Sequence, residues 1–255
     1  MDHVQAALDQ RIESYGEELK QTAPYYTVVG RVYLETARYT KADSLFKKSI
    51  ELSKEGGERL ASDLLDAYLG YSSSLFEQEN YEKAEEYANK AVEVANKYED
   101  VDPLMLSGPY LNLARIYYEK ESYEKAKEYL DKSYEITNSN FTEGTAHFAD
   151  LLFYKGLIQH KLGNSTKAAE TLNSADALIK ETYGVDHPNY ADFLIETARY
   201  SLETEDAEEA GKKFREALKI RKNKFGEDHR LVGEAYSRMA EFYSGAGNQE
   251  KAQEL

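Results

Sequence analysis

Three arginines, Arg31, Arg115 and Arg199, stand at equal intervals of 84 residues, and each is followed four residues later by a glutamate: Glu35, Glu119 and Glu203. A guanidinium is planar, permanently charged, and offers a fork of donors that meets a carboxylate with two parallel hydrogen bonds. One reading makes the three side chains a ladder for ligand carboxylates. The other ties them to their own helices, where an Arg-before-Glu pair contributes only ~0.2–0.5 kcal/mol. Other chemistry is sparse. The chain has no Gly-x-Ser-x-Gly elbow, no phosphate-cradling glycine loop and no His-Glu-x-x-His pair. Without cysteine, neither a disulfide frame nor a thiolate metal site can form. His187 and His229 lie 42 residues apart, each after an aspartate, Asp186 and Asp228. An aspartate there is placed to cap the free N–H groups of a helix start. Runs such as Glu82, Lys83, Glu85, Glu86 and Lys90 interleave charge as a solvated helix face does. No catalytic residue, metal ligand or cofactor is assigned, and the chain reads as a non-enzyme.

Bulk charge narrows the partners. Asp and Glu number 47 against 32 Lys and Arg, a net charge of −15. That disfavours nucleic acid, which needs a broad cationic surface, and anionic membranes. No apolar run of membrane-spanning length occurs. The lack of cysteine suits a reducing, cytoplasmic setting. Hydrophobic content of 41% with a mean hydropathy of −0.72 is low for one large core and suits a thin stack with much exposed helix.

The interval of 42 runs through the whole chain. Tyr-Glu-Lys-Ala occurs at Tyr81–Ala84 and again at Tyr123–Ala126. Stepping by 42 from Ala84 lands on Ala42, Ala126, Ala168, Ala210 and Ala252. Twelve residues before each alanine is another small residue: Gly30, Ser72, Ala114, Gly156, Ala198 and Ala240. Rows of larger residues keep the same register: Tyr33, Leu75 and Tyr117 before the alanine, Phe46, Leu130 and Leu172 after it. Breaks such as Leu162-Gly163-Asn164 and Ala246-Gly247-Asn248 suit a helix end and a tight turn. Each unit is therefore a helix A, a turn and a helix B, closely packed at the small positions. Most of the 22 tyrosines fall at helical spacing and are read as packing residues whose hydroxyls reach water or a polar group.

This pattern resembles the tetratricopeptide repeat, and the long unit with loops Tyr183-Gly184-Val185-Asp186-His187-Pro188 and Phe225-Gly226-Glu227-Asp228-His229 resembles the kinesin-light-chain form of it. The resemblance covers essentially the whole chain. It implies an all-α fold, a right-handed superhelical solenoid of antiparallel helix pairs, acting as a non-enzymatic scaffold or adaptor that binds a partner protein or peptide in a concave groove. It also places ligand contacts on helix A. By register these are Arg31, Arg115 and Arg199, with Asn112 to hold a peptide backbone, and Leu69, Phe76, Leu111, Tyr118, Phe153, Ile195 and Leu202 as apolar positions. With helix A axes about 10 Å apart, the arginines would span about 40 Å, the reach of about 12 extended residues. The implied ligand is an acidic segment with bulky apolar anchors. Asp66, Asp150, Asp192 and Glu234 fall near the same face, where they complement helix dipoles and mix its charge.

In this frame residues 1–22 form a half-repeat or capping helix, in which Ala7-Leu8 and Tyr15-Gly16 match later units. Repeats follow at 23–64, 65–106, 107–148, 149–190 and 191–232, with a partial one at 233–255. In the first, helix A is expected from Tyr25 to Thr36 and helix B from Thr40 to Lys54, with a stop at Glu55-Gly56-Gly57-Glu58. Asp102-Pro103 should open the next helix, and Thr137–Thr142 should form a polar loop. The fourth repeat departs from the pattern, with Lys155, Gln159 and Ser165 at apolar positions, and is expected to pack most weakly. Both ends read as cut from a longer array. Two rival readings remain: a sensor array of a larger effector, or an array that self-associates through an uncapped end.

Overall fold

The grid alanines mark the places where helices close on one another. The computed structural model describes residues 2–15, 20–140, 146–204, 206–245 and Ala252. All regular structure among them is helical. After α1 (Asp2–Tyr15) come the pairs α2 (Ala23–Glu35) and α3 (Tyr39–Gly56), α4 (Ala61–Glu77) and α5 (Tyr81–Lys97), and α6 (Ser107–Glu119) and α7 (Tyr123–Asn140). These belong to a compact unit, Met1–Thr142. The second unit, Glu143–Leu255, holds α8 (Ala146–Lys161), α9 (Ser165–Tyr183), α10 (Pro188–Glu203), α11 (Ala207–Phe225) and α12 (Arg230–Gly245). In the first unit each A helix (α2, α4, α6) packs on its own B helix, α4 packs on both α2 and α6, and α3 and α5 each pack on the A helix that follows. The solenoid of helix pairs expected from the sequence is thus built from short-range contacts.

The side chains explain the small residues. Ala42, Ala84, Ala126, Ala168 and Ala210 are all fully buried. Phe46 is also fully buried, wedged between two glycines. A Cβ on Gly30 of α2 would stand 2.9 Å from its ring, and one on Gly70 of α4 only 2.4 Å away. One ring thus belongs to two repeats. Within one pair, Gly156 of α8 makes room for Leu172 of α9, which an added Cβ would meet at 2.6 Å. Where the small residue is Ser72, its hydroxyl donates to the Ala84 carbonyl at 2.7 Å, so the close approach also satisfies a buried polar group.

The A-to-B turns are three residues long, and their geometry repeats. The middle residue is left-handed in each turn whose middle residue is described: Ala37 (φ 51°), Glu79 (58°), Glu121 (56°) and Gly163 (85°). The N–H after it reaches back five residues to an A-helix carbonyl, as from Arg38 to Tyr33 (2.9 Å), Asn80 to Leu75 (2.9 Å), Ser122 to Tyr117 (2.8 Å) and Asn164 to Gln159 (2.9 Å). This is a Schellman ending, which satisfies carbonyls the helix leaves open. Only one of the four uses the glycine that such a turn prefers.

Several local expectations need correction. α2 and α3 begin earlier than the sequence pattern suggested, and α3 runs to Gly56 before Gly57 turns left-handed (φ 63°). Asp102 caps only a short 3-10 turn, Pro103–Leu106, accepting from the Leu104 N–H at 2.9 Å, and α6 starts at Ser107. The residues from Thr137 to Asn140 are the last part of α7 rather than a loop; Phe141 and Thr142 lie outside the described residues, as do Gly16 and Ala246-Gly247-Asn248. The helix starts at α10 and α12 are held by histidine, not by Asp186 or Asp228. The His187 Nδ1 accepts from the Asn189 N–H and the His229 Nδ1 from the Leu231 N–H, both at 3.2 Å. Each imidazole also stacks on the aromatic that opens its loop, Tyr183 at 5.0 Å and Phe225 at 4.6 Å. The ring is a larger acceptor than a carboxylate and fills the loop as well as capping it.

Candidate functional site

The arginines of the ladder find carboxylates other than the glutamates four residues on. Arg31 bridges from α2 to Asp66 of α4 at 3.2 Å. Arg115 bridges from α6 to Glu77 of the same α4 at 2.9 Å, and its guanidinium lies over the Phe76 ring, 4.3 Å from the centroid. Asp66, Ser73 and Glu77 fall on one stripe of α4, so this helix carries an acid toward each neighbour and receives a cation from each. In the second unit Arg199 bonds Glu196 of its own helix at 2.8 Å. Glu203 is taken by Lys161 at 2.6 Å and by His160 at 3.1 Å, both on α8. The Arg31 and Asp66 side chains are 43% and 41% exposed. Water screens such a pair, and its contribution is at most about 1 kcal/mol.

The apolar positions divide in two. Leu111, Tyr118, Phe153 and Ile195 are between 5% and 8% exposed and are core residues. Phe153, for example, packs edgewise on Phe193 at 5.1 Å. Their role as ligand anchors is corrected by burial: they are spent on neighbouring helices. Leu69, Phe76 and Leu202 are half-buried. Leu69 lies in the space that a side chain on Gly108 would fill, and Phe76 is covered by Arg115. Asn112 is buried too. Its amide donates to Ser73 at 2.9 Å and to Ser72 at 3.3 Å, which staples α6 to α4 and leaves no donor for a ligand backbone. Val28 of α2, at 55% exposure, is the large apolar side chain that the A-helix face does present; sequence register had not picked it out.

Polar ties between repeats were the main signal missed. Tyr117 donates to Glu85 at 2.5 Å, and Lys120 reaches the same carboxylate at 2.8 Å. Burial pulls Glu85 upward, but the bonds from Lys120 and Tyr117 outweigh it and hold the carboxyl below its usual range. Arg221 of α11, almost fully buried, donates to Asp192 of α10 at 2.6 Å and to the Leu231 carbonyl at the start of α12 at 2.7 Å. The polar substitutions of the fourth repeat are matched in pairs. Gln159 accepts from Thr171 at 2.8 Å, and Ser165 meets His160 at 3.1 Å. The partners lie 12 and five residues away, a pairing that the register could have shown had Thr171 and His160 been read beside their neighbours. Among the described residues no three of His, Asp and Glu are grouped so as to hold a metal, and no helix is long and apolar enough to cross a membrane.

Comparison with known proteins agrees with this architecture. Profiles of the tetratricopeptide repeat match residues 63–139 and 23–55. No curated protein sequence matches the chain. Among solved structures, the apo form of RapI superposes with a TM-score of 0.67 at 17% identity, over 96% of this chain and 84% of that one. A putative kinesin light chain from Podospora anserina, with nearly identical repeats, gives 0.53 at 17% identity, over 74% and 90%. The Rap conjugation gene regulator of plasmid pLS20, in complex with the Phr* peptide, gives 0.68 at 14% identity, over 92% and 60%. Identities this low establish the fold and nothing further. The first unit, over residues 23–139, is therefore built of tetratricopeptide repeats, and the second unit continues the same helix pairing at a pitch of 42 residues.

Proposed function

We propose that the chain is a protein-interaction scaffold in which the A-helix face takes an extended segment of a partner protein, and that it works in the cytoplasm. The observation that carries this reading is the state of Arg31 and Arg115. Both carry a permanent charge, and both bridge to a half-exposed carboxylate on α4, Arg31 to Asp66 and Arg115 to Glu77. Such pairs exchange at little cost, so a carboxylate on an incoming peptide can replace Asp66 or Glu77 as the guanidinium's partner. The peptide complex of one structural neighbour supports a peptide as the kind of ligand. The face does no chemistry in this reading. Specificity comes from charge, from Val28 and from the half-buried Leu69, Phe76 and Leu202, because Leu111, Tyr118, Phe153 and Ile195 are already buried.

The test is binding of fluorescent 12-residue peptides from an acidic display library to the parent chain and to an Arg31→Glu/Arg115→Glu/Arg199→Glu variant of equal helicity. Binding to the parent that falls at least about tenfold in the variant supports the reading, since two or three charge-assisted contacts are removed. Equal binding by both removes the arginines from the site. A mass that grows with concentration in the absence of any peptide would favour self-association instead.

A further inference from the structure

The repeats supply their own reference for an unusual pair. In α4 and α5 the residues eight and three before the grid alanine are Phe76 and Tyr81, with ring centroids 5.6 Å apart. In α6 and α7 they are Tyr118 and Tyr123, 5.7 Å apart. At the same two positions in α8 and α9 the residues are His160 and Ser165, and the aromatic contact becomes a hydrogen bond of 3.1 Å between imidazole Nδ1 and the serine hydroxyl. The other ring nitrogen, Nε2, meets Glu203 of α10 at 3.1 Å. Tyr200 packs edge-on against the ring, 4.8 Å away, so the imidazole is held on both its edges and by its flank.

This environment fixes the proton. A carboxylate can only accept, so a neutral His160 must carry its hydrogen on Nε2 to face Glu203. The Nδ1 lone pair is then left pointing at the Ser165 hydroxyl, which donates to it. Burial raises the Glu203 carboxyl, but the bonds from Lys161 and His160 prevail and keep it below its usual range, so it stays ionised at neutral pH. Ser165 is exposed and is the first residue of the 19-residue helix α9. The Asn164 side chain makes no cap bond there, so the first-turn N–H groups, which have no carbonyl partner within a helix, stand beside the hydroxyl.

We propose that Ser165, His160 and Glu203 form a nucleophile, base and positioning acid, and that Ser165 accepts acyl groups from small, uncharged activated esters. His160 holds the register position of Phe76, Tyr118 and Leu202, so the site borders the A-helix face, but its chemistry does not depend on partner binding there. In the first step the Ser165 Oγ attacks the ester carbonyl while its proton passes to His160 Nδ1. The new Oγ–C bond forms, the oxygen of the tetrahedral species faces the first-turn N–H groups of α9, and the C–O bond to the alcohol breaks. The alcohol leaves with the proton from His160. Water then attacks the acyl-serine with His160 again taking a proton, which returns to Oγ as the acid departs. The sum is ester plus water to acid plus alcohol. The imidazole faces the serine through Nδ1, the reverse of the chymotrypsin arrangement. Lys161 shares the Glu203 carboxylate at 2.6 and 2.7 Å, which weakens its pull on the ring. Both features, with the open surface, set a slow turnover.

The experiment treats the full chain with a fluorophosphonate probe, which forms an Oγ–P bond and expels fluoride, and maps the product by mass spectrometry. In parallel it follows p-nitrophenolate release from p-nitrophenyl acetate. Labelling concentrated at Ser165, with ester cleavage at least about tenfold above that of Ser165→Ala, is the expected result, general base assistance being worth about 10²–10⁴-fold where it operates fully. His160→Phe restores the aromatic found at Phe76, so it keeps the packing while removing the base, and should reduce labelling to the level of other serines. Glu203→Gln should lower labelling several-fold and shift the His160 ¹⁵N resonances away from the Nε2–H form. Labelling spread evenly over the serines, or unchanged in His160→Phe at equal helicity, would overturn the proposal and leave the bond as a polar substitute for the aromatic pair.

Discussion

Two half-buried basic groups, Lys213 and His147, show how a single side chain sets stability in this chain. Lys213 of α11 occupies the place that Tyr87 and Tyr129 hold in earlier B helices. Its ammonium meets only neutral oxygens, the Ser201 hydroxyl at 3.1 Å and the Thr197 carbonyl at 3.4 Å, and burial lowers its pKa. Because the charged form is disfavoured by folding, Lys213→Met should stabilise the protein at neutral pH, by up to about 1 kcal/mol after solvent screening. Chemical denaturation of the two proteins measures the difference. His147, near the start of α8, is likewise lowered from its ordinary 6.5 by burial. Between that value and its folded-state pKa the unfolded chain binds the extra proton, so stability falls as pH drops below about 6.5. Replacing His147 by Gln should flatten the stability profile in that window. Glu85 and Glu203, held below the ordinary 4.5, contribute stability that is lost only at lower pH, so the two effects separate along one titration.

At the scale of the helix pair, the turn is strained by choice of residue. A non-glycine residue in the left-handed region carries about 1–2 kcal/mol of steric cost, and Glu79 and Glu121 both sit there. Glu121→Gly removes that cost and adds back about 0.4–1 kcal/mol of unfolded-chain entropy, so a net gain of about 0.5–1 kcal/mol is expected in thermal or urea unfolding. The reverse holds where small residues meet a ring. Gly70→Ala gains about 1 kcal/mol in helix propensity but drives a methyl group to 2.4 Å from Phe46. That ring is fully buried with no free side to move to, so overpacking, about 1–3 kcal/mol, should decide the sign. These elements were largely legible in advance. Alanine and glycine on a fixed interval announce close helix crossings because only a missing side chain permits them. The binding face was less legible, since register gives a residue's helix position but not which neighbour reaches it first. Leu111, Phe153 and Ile195 looked like anchors because they are apolar and in phase; they are apolar because the next helix covers them. Asn112 looked like a donor for a ligand until Ser72 and Ser73, 40 and 39 residues earlier, proved to take it.

Across the whole molecule, acid outweighs base by 15 charges, and half-exposed ion pairs between helices, such as Arg31–Asp66, are solvent-screened. Self-repulsion of a net-negative chain favours expansion, and salt reduces it over about 10 Å at 0.1 M. Raising sodium chloride from 20 to about 300 mM should therefore raise the melting temperature; a fall would mean that the cross-helix pairs outweigh the excess charge. The Phe46 ring, shared by Gly30 and Gly70, has a mechanical consequence. Drawn out from its N-terminal end in an optical trap, a stack joined only by surface contacts would pay out one helix pair at a time. Here the ring couples α2 and α3 to α4, so the first yield should be a single long extension of all three helices, and replacing Phe46 with alanine should divide that extension into two shorter ones at lower force.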